Sequence, residues 1–274
     1  MSATGSIQRL DSFASLGDAR LGFPYWIDLG VVSVHPHIFF EFLGYLAGIS
    51  VTLWVSESGR DSIPPEQRHP LIVAGLLGAL IGAKLLAWAQ HPQTTMLALT
   101  EGPAILFGGK TIVGGLLGGM TGIELAKKSM GIESRTGDPL VLPLAVGMSI
   151  GRLGCFFSGL DDATYGVATS LPVGVDFGDG VSRHPTQLYE IFAIWGIYFL
   201  AKYRSELDPV PQGWRFRSFL MGYLVWRLLV DWIKPTEWEI AFLSPIQIAC
   251  VLGLVWYLTL GKITEEEWGV AGDD

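Results

Sequence analysis

The sequence predicts an all-α, polytopic membrane protein of about seven transmembrane helices, with a polar cavity in the outer half of the bilayer. Three observations carry this. Half of the 274 residues are hydrophobic and only 16% are charged, with a mean hydropathy of +0.41, whereas a soluble domain carries about 25% charged residues. Apolar segments of roughly 20 residues, the length that crosses a bilayer as a helix, recur near 34–56, 70–90, 111–129, 139–159, 187–203, 216–233 and 244–261. Finally, ionisable residues lie inside those segments: Arg152 in LPLAVGMSIGRLGCFFSGL and Arg227 in FLMGYLVWRLLVDWI, with Lys84, Glu41, Glu190 and Asp231 in similar settings. A guanidinium in hydrocarbon costs at least a few kcal/mol, so a chain that keeps two of them uses them.

Taken in order, residues 1–33 form an N-terminal periplasmic segment without the apolar core of a signal peptide, so the first span is expected to be an uncleaved anchor. The transmembrane domain occupies 34–262. Its first helix carries Glu41, and its second ends on GAKLLAW with Lys84. Its third is broken up by Gly114, Gly115, Gly118, Gly119 and Gly122, a pattern that lets helices approach closely. The fourth carries Gly151-Arg152-Leu153-Gly154. Residues 159–186, rich in Gly, Asp, Ser and Pro, read as a structured loop or short amphipathic cap. The fifth helix opens on Arg183-His184-Pro185-Thr186-Gln187-Leu188-Tyr189-Glu190, the sixth holds Arg227 and Asp231, and an acidic tail follows at 263–274.

Loop charge sets the orientation. With the N-terminus outside, the inner loops carry Arg60, Arg68, Lys127, Lys128, Arg135, Lys202, Arg204, Arg215, Arg217 and Lys262, against Arg9, Arg20, Lys110, Arg183 and Lys234 outside. The protein is therefore expected to have its N-terminus out and its C-terminus in. At about 1.5 Å per helical residue, Glu41, Lys84, Arg152, His184, Glu190, Arg227 and Asp231 then all fall in the outer half. Only Glu124 lies deeper, with Lys127 and Lys128 as its natural partners.

Buried arginines hold an anion, most simply a phosphate, by bidentate hydrogen bonds. Gly151 and Gly154 clear space beside Arg152 for a headgroup. His184 sits at the positive end of the fifth helix, and Gln187, Tyr189 and Glu190 project from its first turns. Lys110, Gly114 and Gly115 border the same pocket. Plainer readings stand beside these. The arginines could join helices by pairing with Glu190 and Asp231. Lys84 could snorkel, His184 could be a helix-start donor, Glu41 could cap a neighbouring arginine, and Cys155 could be a packing residue. Cys155 and Cys250 lie in apolar runs without zinc-motif spacing, and the net charge of −8 gives no sign of a nucleic-acid surface. No metal or cofactor is expected.

The order GGKTIVGGLLGG, GRLGCFFSG, RHPTQLYE and YLVWRLLVDW resembles the prolipoprotein diacylglyceryl transferase family, from about Ile38 to Gln247. Typical members read GG(M)SFHGG, GRLGNFING, RHPSQLYE and FRxxxEF at these places, and GAKLLAW is similar to the family's GGRxxY. The resemblance implies an enzyme of the bacterial cytoplasmic membrane. It would move a diacylglyceryl group from phosphatidylglycerol to the cysteine thiol after a prolipoprotein signal peptide, releasing glycerol phosphate. Its partners would be phosphatidylglycerol, prolipoprotein signal peptides and membrane lipids. It also implies that Arg152 contacts the phosphate and that Arg227 stabilises it as it leaves. Glu190, Gln187 and His184 match family positions, and Asp231 matches the family glutamate.

Three residues depart from the pattern. The HGG histidine, a candidate base, is Val113; the asparagine after GRLG is Cys155; and a first-helix tyrosine aligns with Glu41. Glu41 is therefore the expected replacement base. Two alternatives stay open: a paralogue with another acceptor, and a phospholipid-binding protein without catalysis.

Overall fold

The computed structural model describes residues 22–57, 65–102, 108–236 and 238–259. Eight helices stand among them: α1 (Pro36–Glu57), α2 (Pro65–Gln90), α3 (Pro92–Glu101), α4 (Ile112–Met130), α5 (Val141–Ser158), α6 (Thr186–Leu207), α7 (Trp214–Val230) and α8 (Pro245–Thr259). Seven of them occupy the apolar segments read from the sequence. The short α3 lies in a connection and was not anticipated. Stretches 36–56, 67–90 and 138–162 are long and apolar enough to cross a membrane, and α8 is a shorter apolar helix. Large apolar side chains exposed on α2, α6 and α8, such as Leu76, Leu80, Phe192, Leu200 and Leu252, suit a lipid solvent.

α7 is the central helix. Phe219, Leu220, Tyr223 and Leu224 are fully buried, against Ile194 of α6, Val113 of α4 and Cys250 of α8. Its start is held by Asp138, whose carboxylate accepts from the Gly213 and Phe216 backbone N–H groups at 2.8 and 2.9 Å. A negative charge there satisfies orphan donors and complements the helix dipole.

Two close helix pairs flank the centre. On α2 and α4, Gly78, Gly82, Gly114 and Gly118 bring the backbones into contact, so that a Cβ on any of them would meet the opposing main chain. Small residues four apart are what such a crossing requires. α1 meets α5 through Gly44, where a Cβ would lie 2.9 Å from the Gly147 carbonyl. The α4 glycines do not break the helix. Thr111 caps its start by accepting from Gly114 N at 3.3 Å, and Gly131 ends it in the left-handed conformation at φ 67°.

The 159–186 connection is structured. A 3₁₀ turn (Gly159–Asp162) leads to a two-stranded ribbon of β3 (Val175–Asp176) and β4 (Ser182–Arg183); the only other ribbon among the described residues joins β1 (Ile27–Asp28) and β2 (Ser33–Val34). The loop is pinned by Phe177, buried among Phe23, Phe156 and Tyr165, and by Val167 N donating to Ile233 O at 2.8 Å. It closes over the ends of α5, α6 and α7.

Candidate functional site

Three helices converge on one carboxylate. Glu190, in the second turn of α6, has no exposed surface. Arg152, near the end of α5, places Nη2 2.8 Å from Glu190 Oε1, and Arg227, in the last turn of α7, places Nη1 3.1 Å from Oε2. Tyr223, one turn before Arg227, donates its hydroxyl to Oε1. Arg227 Nη2 also meets Asp231 Oδ1 at 3.1 Å, and Asp231 Oδ2 accepts from Ser244 Oγ at the start of α8. Four side-chain charges, two of each sign, are thus buried together. Buried ions persist only when paired and hydrogen-bonded, and this network meets that condition.

The arginines do join helices, as the plainer reading has it, but the pairing leaves donors over. Arg152 Nε, Arg227 Nε, Ser149 Oγ and both polar atoms of the Gln187 amide are buried without a partner among the described residues. Gln187 sits one turn before Glu190 and is fully buried. Buried polar groups are bonded in nine cases of ten or more, so these unbonded donors and acceptors are free to meet the polar head of a ligand. Gly151 adjoins Arg152 and has open space where a Cβ would stand. Lys234, just past α7, is half-buried. Burial, then the Arg227 and Arg152 guanidiniums, push its ammonium down to about 7.

A second cluster forms where α1 starts and α5 ends. Glu41 accepts from Tyr45 Oη at 2.7 Å and pairs with Lys110, with His37 Nε2 3.7 Å from its Oε2. The other ring nitrogen of His37 lies 2.9 Å from Asp162 Oδ1 and 4.0 Å from Cys155 Sγ. Arg152 Nη1 reaches the same sulfur at 3.7 Å, so the two clusters touch.

The remaining sequence-predicted residues lie further out or in the packing. His184 Nδ1 pairs with Tyr189 Oη at 3.1 Å. Lys84 donates to the Gly108 and Gly109 carbonyls at 3.0 and 2.9 Å and so shapes the turn that presents Lys110. Gly114 lies in the α2–α4 seam, Gly154 packs on Phe40 of α1, and Gly115 stands beside Ala83. Val113 is buried in the apolar core. Sequence reasoning missed His37, Asp162, Tyr223, Ser244 and Lys234. The available signal was spacing: His37 stands four residues before Glu41, and Tyr223 four before Arg227.

Comparison with known proteins matches residues 24–262 to the family model described as prolipoprotein diacylglyceryl transferase. Relatives named phosphatidylglycerol–prolipoprotein diacylglyceryl transferase include one from Vibrio atlanticus, 29% identical over 267 residues, covering 89% of this chain and 93% of the relative. Another, from Zymomonas mobilis, is 28% identical over 283 residues, covering 95% and 90%. A third, from Vibrio vulnificus, is 30% identical over 227 residues, covering 78% and 79%. With the match running through every helix that builds the arginine–carboxylate network, the chain belongs to the prolipoprotein diacylglyceryl transferase family.

Proposed function

We propose that this protein transfers a diacylglyceryl group from phosphatidylglycerol to the thiol of a prolipoprotein cysteine, with release of glycerol phosphate. The observation that carries the reading is the pair of buried guanidiniums sharing Glu190 while each keeps an unbonded Nε–H. A phosphate leaving group needs its charge met as the carbon–oxygen bond breaks, and fixed guanidiniums in a water-poor site supply that. Arg152 and Arg227 bind and polarise the phosphate. Gln187 and Glu190 shape the headgroup site with Gly151, and Asp231 holds Arg227 in register. His184 and Tyr189 line its approach, Lys110 and Lys84 order the turn beside it, and Glu41 receives the proton that the thiol gives up.

The site lies at the outer face of the bacterial cytoplasmic membrane, crossed by seven helices with the N-terminus outside and the C-terminus inside. One observation favours the paralogue with another acceptor: a buried valine, Val113, where the family places its histidine.

The test is transfer itself. Purified protein with labelled phosphatidylglycerol and a lipobox peptide is expected to yield labelled peptide. Arg152→Lys should lower the rate about 100-fold or more, because a point charge does not replace a planar fork. Lipid binding without peptide labelling, abolished by Arg152→Ala, would reject the transferase in favour of a binding protein.

A further inference from the structure

His37, Cys155 and Asp162 present one nitrogen, one sulfur and one carboxylate oxygen, all within 4.8 Å of one another. Tetrahedral zinc has bonds of about 2.0–2.3 Å to such atoms, which puts neighbouring ligand atoms about 3.3–3.7 Å apart. The 2.9 Å between His37 Nδ1 and Asp162 Oδ1 and the 4.0 Å between Nδ1 and Cys155 Sγ bracket that range, and with every pair within 4.8 Å shifts of about an ångström complete the geometry. Mixed nitrogen, sulfur and oxygen donors suit a borderline-soft divalent ion and exclude magnesium or calcium.

An independent observation comes from the shell behind these atoms. A metal-binding imidazole turns its second nitrogen to a carboxylate, and ligating carboxylates are themselves hydrogen-bonded. His37 Nε2 faces Glu41 Oε2 at 3.7 Å, and Asp162 Oδ2 accepts from Thr164 Oγ1 at 2.6 Å. Glu41 is held in turn by Tyr45 and Lys110. Cys155 is buried and the Asp162 side chain is 12% exposed, but that of His37 is 33% exposed. The cluster is closed by protein on one side and open on the other. Three protein donors with a free position are the catalytic, rather than the structural, zinc arrangement.

We propose that His37, Cys155 and Asp162 bind one zinc-class cation whose fourth position takes the acceptor thiol, an inference that rests on the transferase reading above. Metal binding deprotonates a coordinating thiol outright, which supplies what the missing histidine would have done. The acceptor S–H bond breaks and its proton leaves by the open side of the cluster to outer water. The metal-held thiolate attacks the glyceryl carbon as the carbon–oxygen bond to phosphate breaks, and glycerol phosphate leaves with that electron pair. A carbon–sulfur bond forms, and no oxidant or reductant takes part. Zn²⁺ with one thiolate, one carboxylate and one imidazole is neutral; the incoming thiolate adds one negative charge, beside Arg152. The three departures from the family pattern then belong together: Cys155 is the added ligand, Glu41 orients His37, and Val113 stands where no base is needed.

The experiment is elemental analysis and cobalt spectroscopy of the full chain in detergent, stripped with chelator and reloaded with Zn²⁺ or Co²⁺ alone. One equivalent per chain is expected, with a sulfur-to-cobalt band that changes when lipobox peptide is added. Cys155→Ser should abolish the band and Asp162→Asn should weaken binding at least 10-fold, while Glu41→Gln should weaken it about 10–100-fold. Thermal unfolding of each variant reports whether it folds. Wild-type protein without bound metal, or a band that survives Cys155→Ser, overturns the proposal. So does full transfer by metal-free protein, which would leave the transferase reading intact. Metal and peptide thiol bound together without any transfer would instead sustain the site and reject the transferase.

Discussion

Glu190 is the residue on which the site turns, because both guanidiniums depend on the same carboxylate. Breaking a buried pair leaves an uncompensated charge and costs about 3–5 kcal/mol. Glu190→Gln is therefore expected to lower stability by about that much in detergent, read by chemical or thermal unfolding, with a smaller effect for Asp231→Asn, which leaves Arg227 its bond to Glu190. The arginines were legible in the sequence because a permanent charge inside an apolar run has no cheap explanation. His37 and Asp162 were not. A histidine at a helix start and an aspartate in an acidic loop are unremarkable singly, and only the fold brings them to 2.9 Å. Outside the membrane segments, the Arg183 guanidinium, doubly bonded to Asp179 at 2.7 Å, holds that carboxyl down to about 2. A depressed carboxyl stabilises the fold above its ordinary value, near 4, and loses that effect as pH falls through about 2. The difference in unfolding temperature between wild type and Asp179→Asn should be present at pH 5 and mostly lost at pH 2.

At the scale of elements, the α2–α4 seam is the most demanding contact. A Cβ at Gly118 would meet the Gly78 main chain and lie 2.9 Å from Gly82 Cα, and backbone cannot swing aside as a side chain does. Gly118→Leu is expected to cost about 1–3 kcal/mol or to prevent folding. Gly196→Ala on α6, with nothing within 4 Å, should be neutral or stabilise by about 0.5–1 kcal/mol. Unfolding of the two purified variants separates packing from intrinsic propensity. The glycine run announced a tight crossing, but its partner could not be read from it. That required Gly78 and Gly82, which lie four apart in a stretch, Leu71 to Ala83, that offers only apolar and small residues. The α3 helix stayed hidden for a related reason. Its ten residues, PQTTMLALTE, offer neither the length nor the apolar stripe of a span.

For the whole molecule, helix positions were legible because lipid imposes a length on each apolar run. The assembly of α5, α6 and α7 around one carboxylate was not, since nothing local states which helices are neighbours. Orientation can be tested directly. Val31 is 96% exposed next to the start of α1, and Glu133 is exposed past the end of α4. Single cysteines at these places should react differently with a membrane-impermeant thiol reagent on intact cells: Val31→Cys is expected to label at once, and Glu133→Cys only after the membrane is opened. The reverse pattern would invert the topology.

The full burial of Glu190 bears on what happens after the chemistry. A phosphodiester arrives with one negative charge, yet the monoester that departs acquires a second. On the proposed reaction, a fixed anion beside the phosphate would tolerate the first visitor and repel the second. The same side chain that holds two arginines together would then also hasten turnover, by making the spent headgroup an unwelcome tenant.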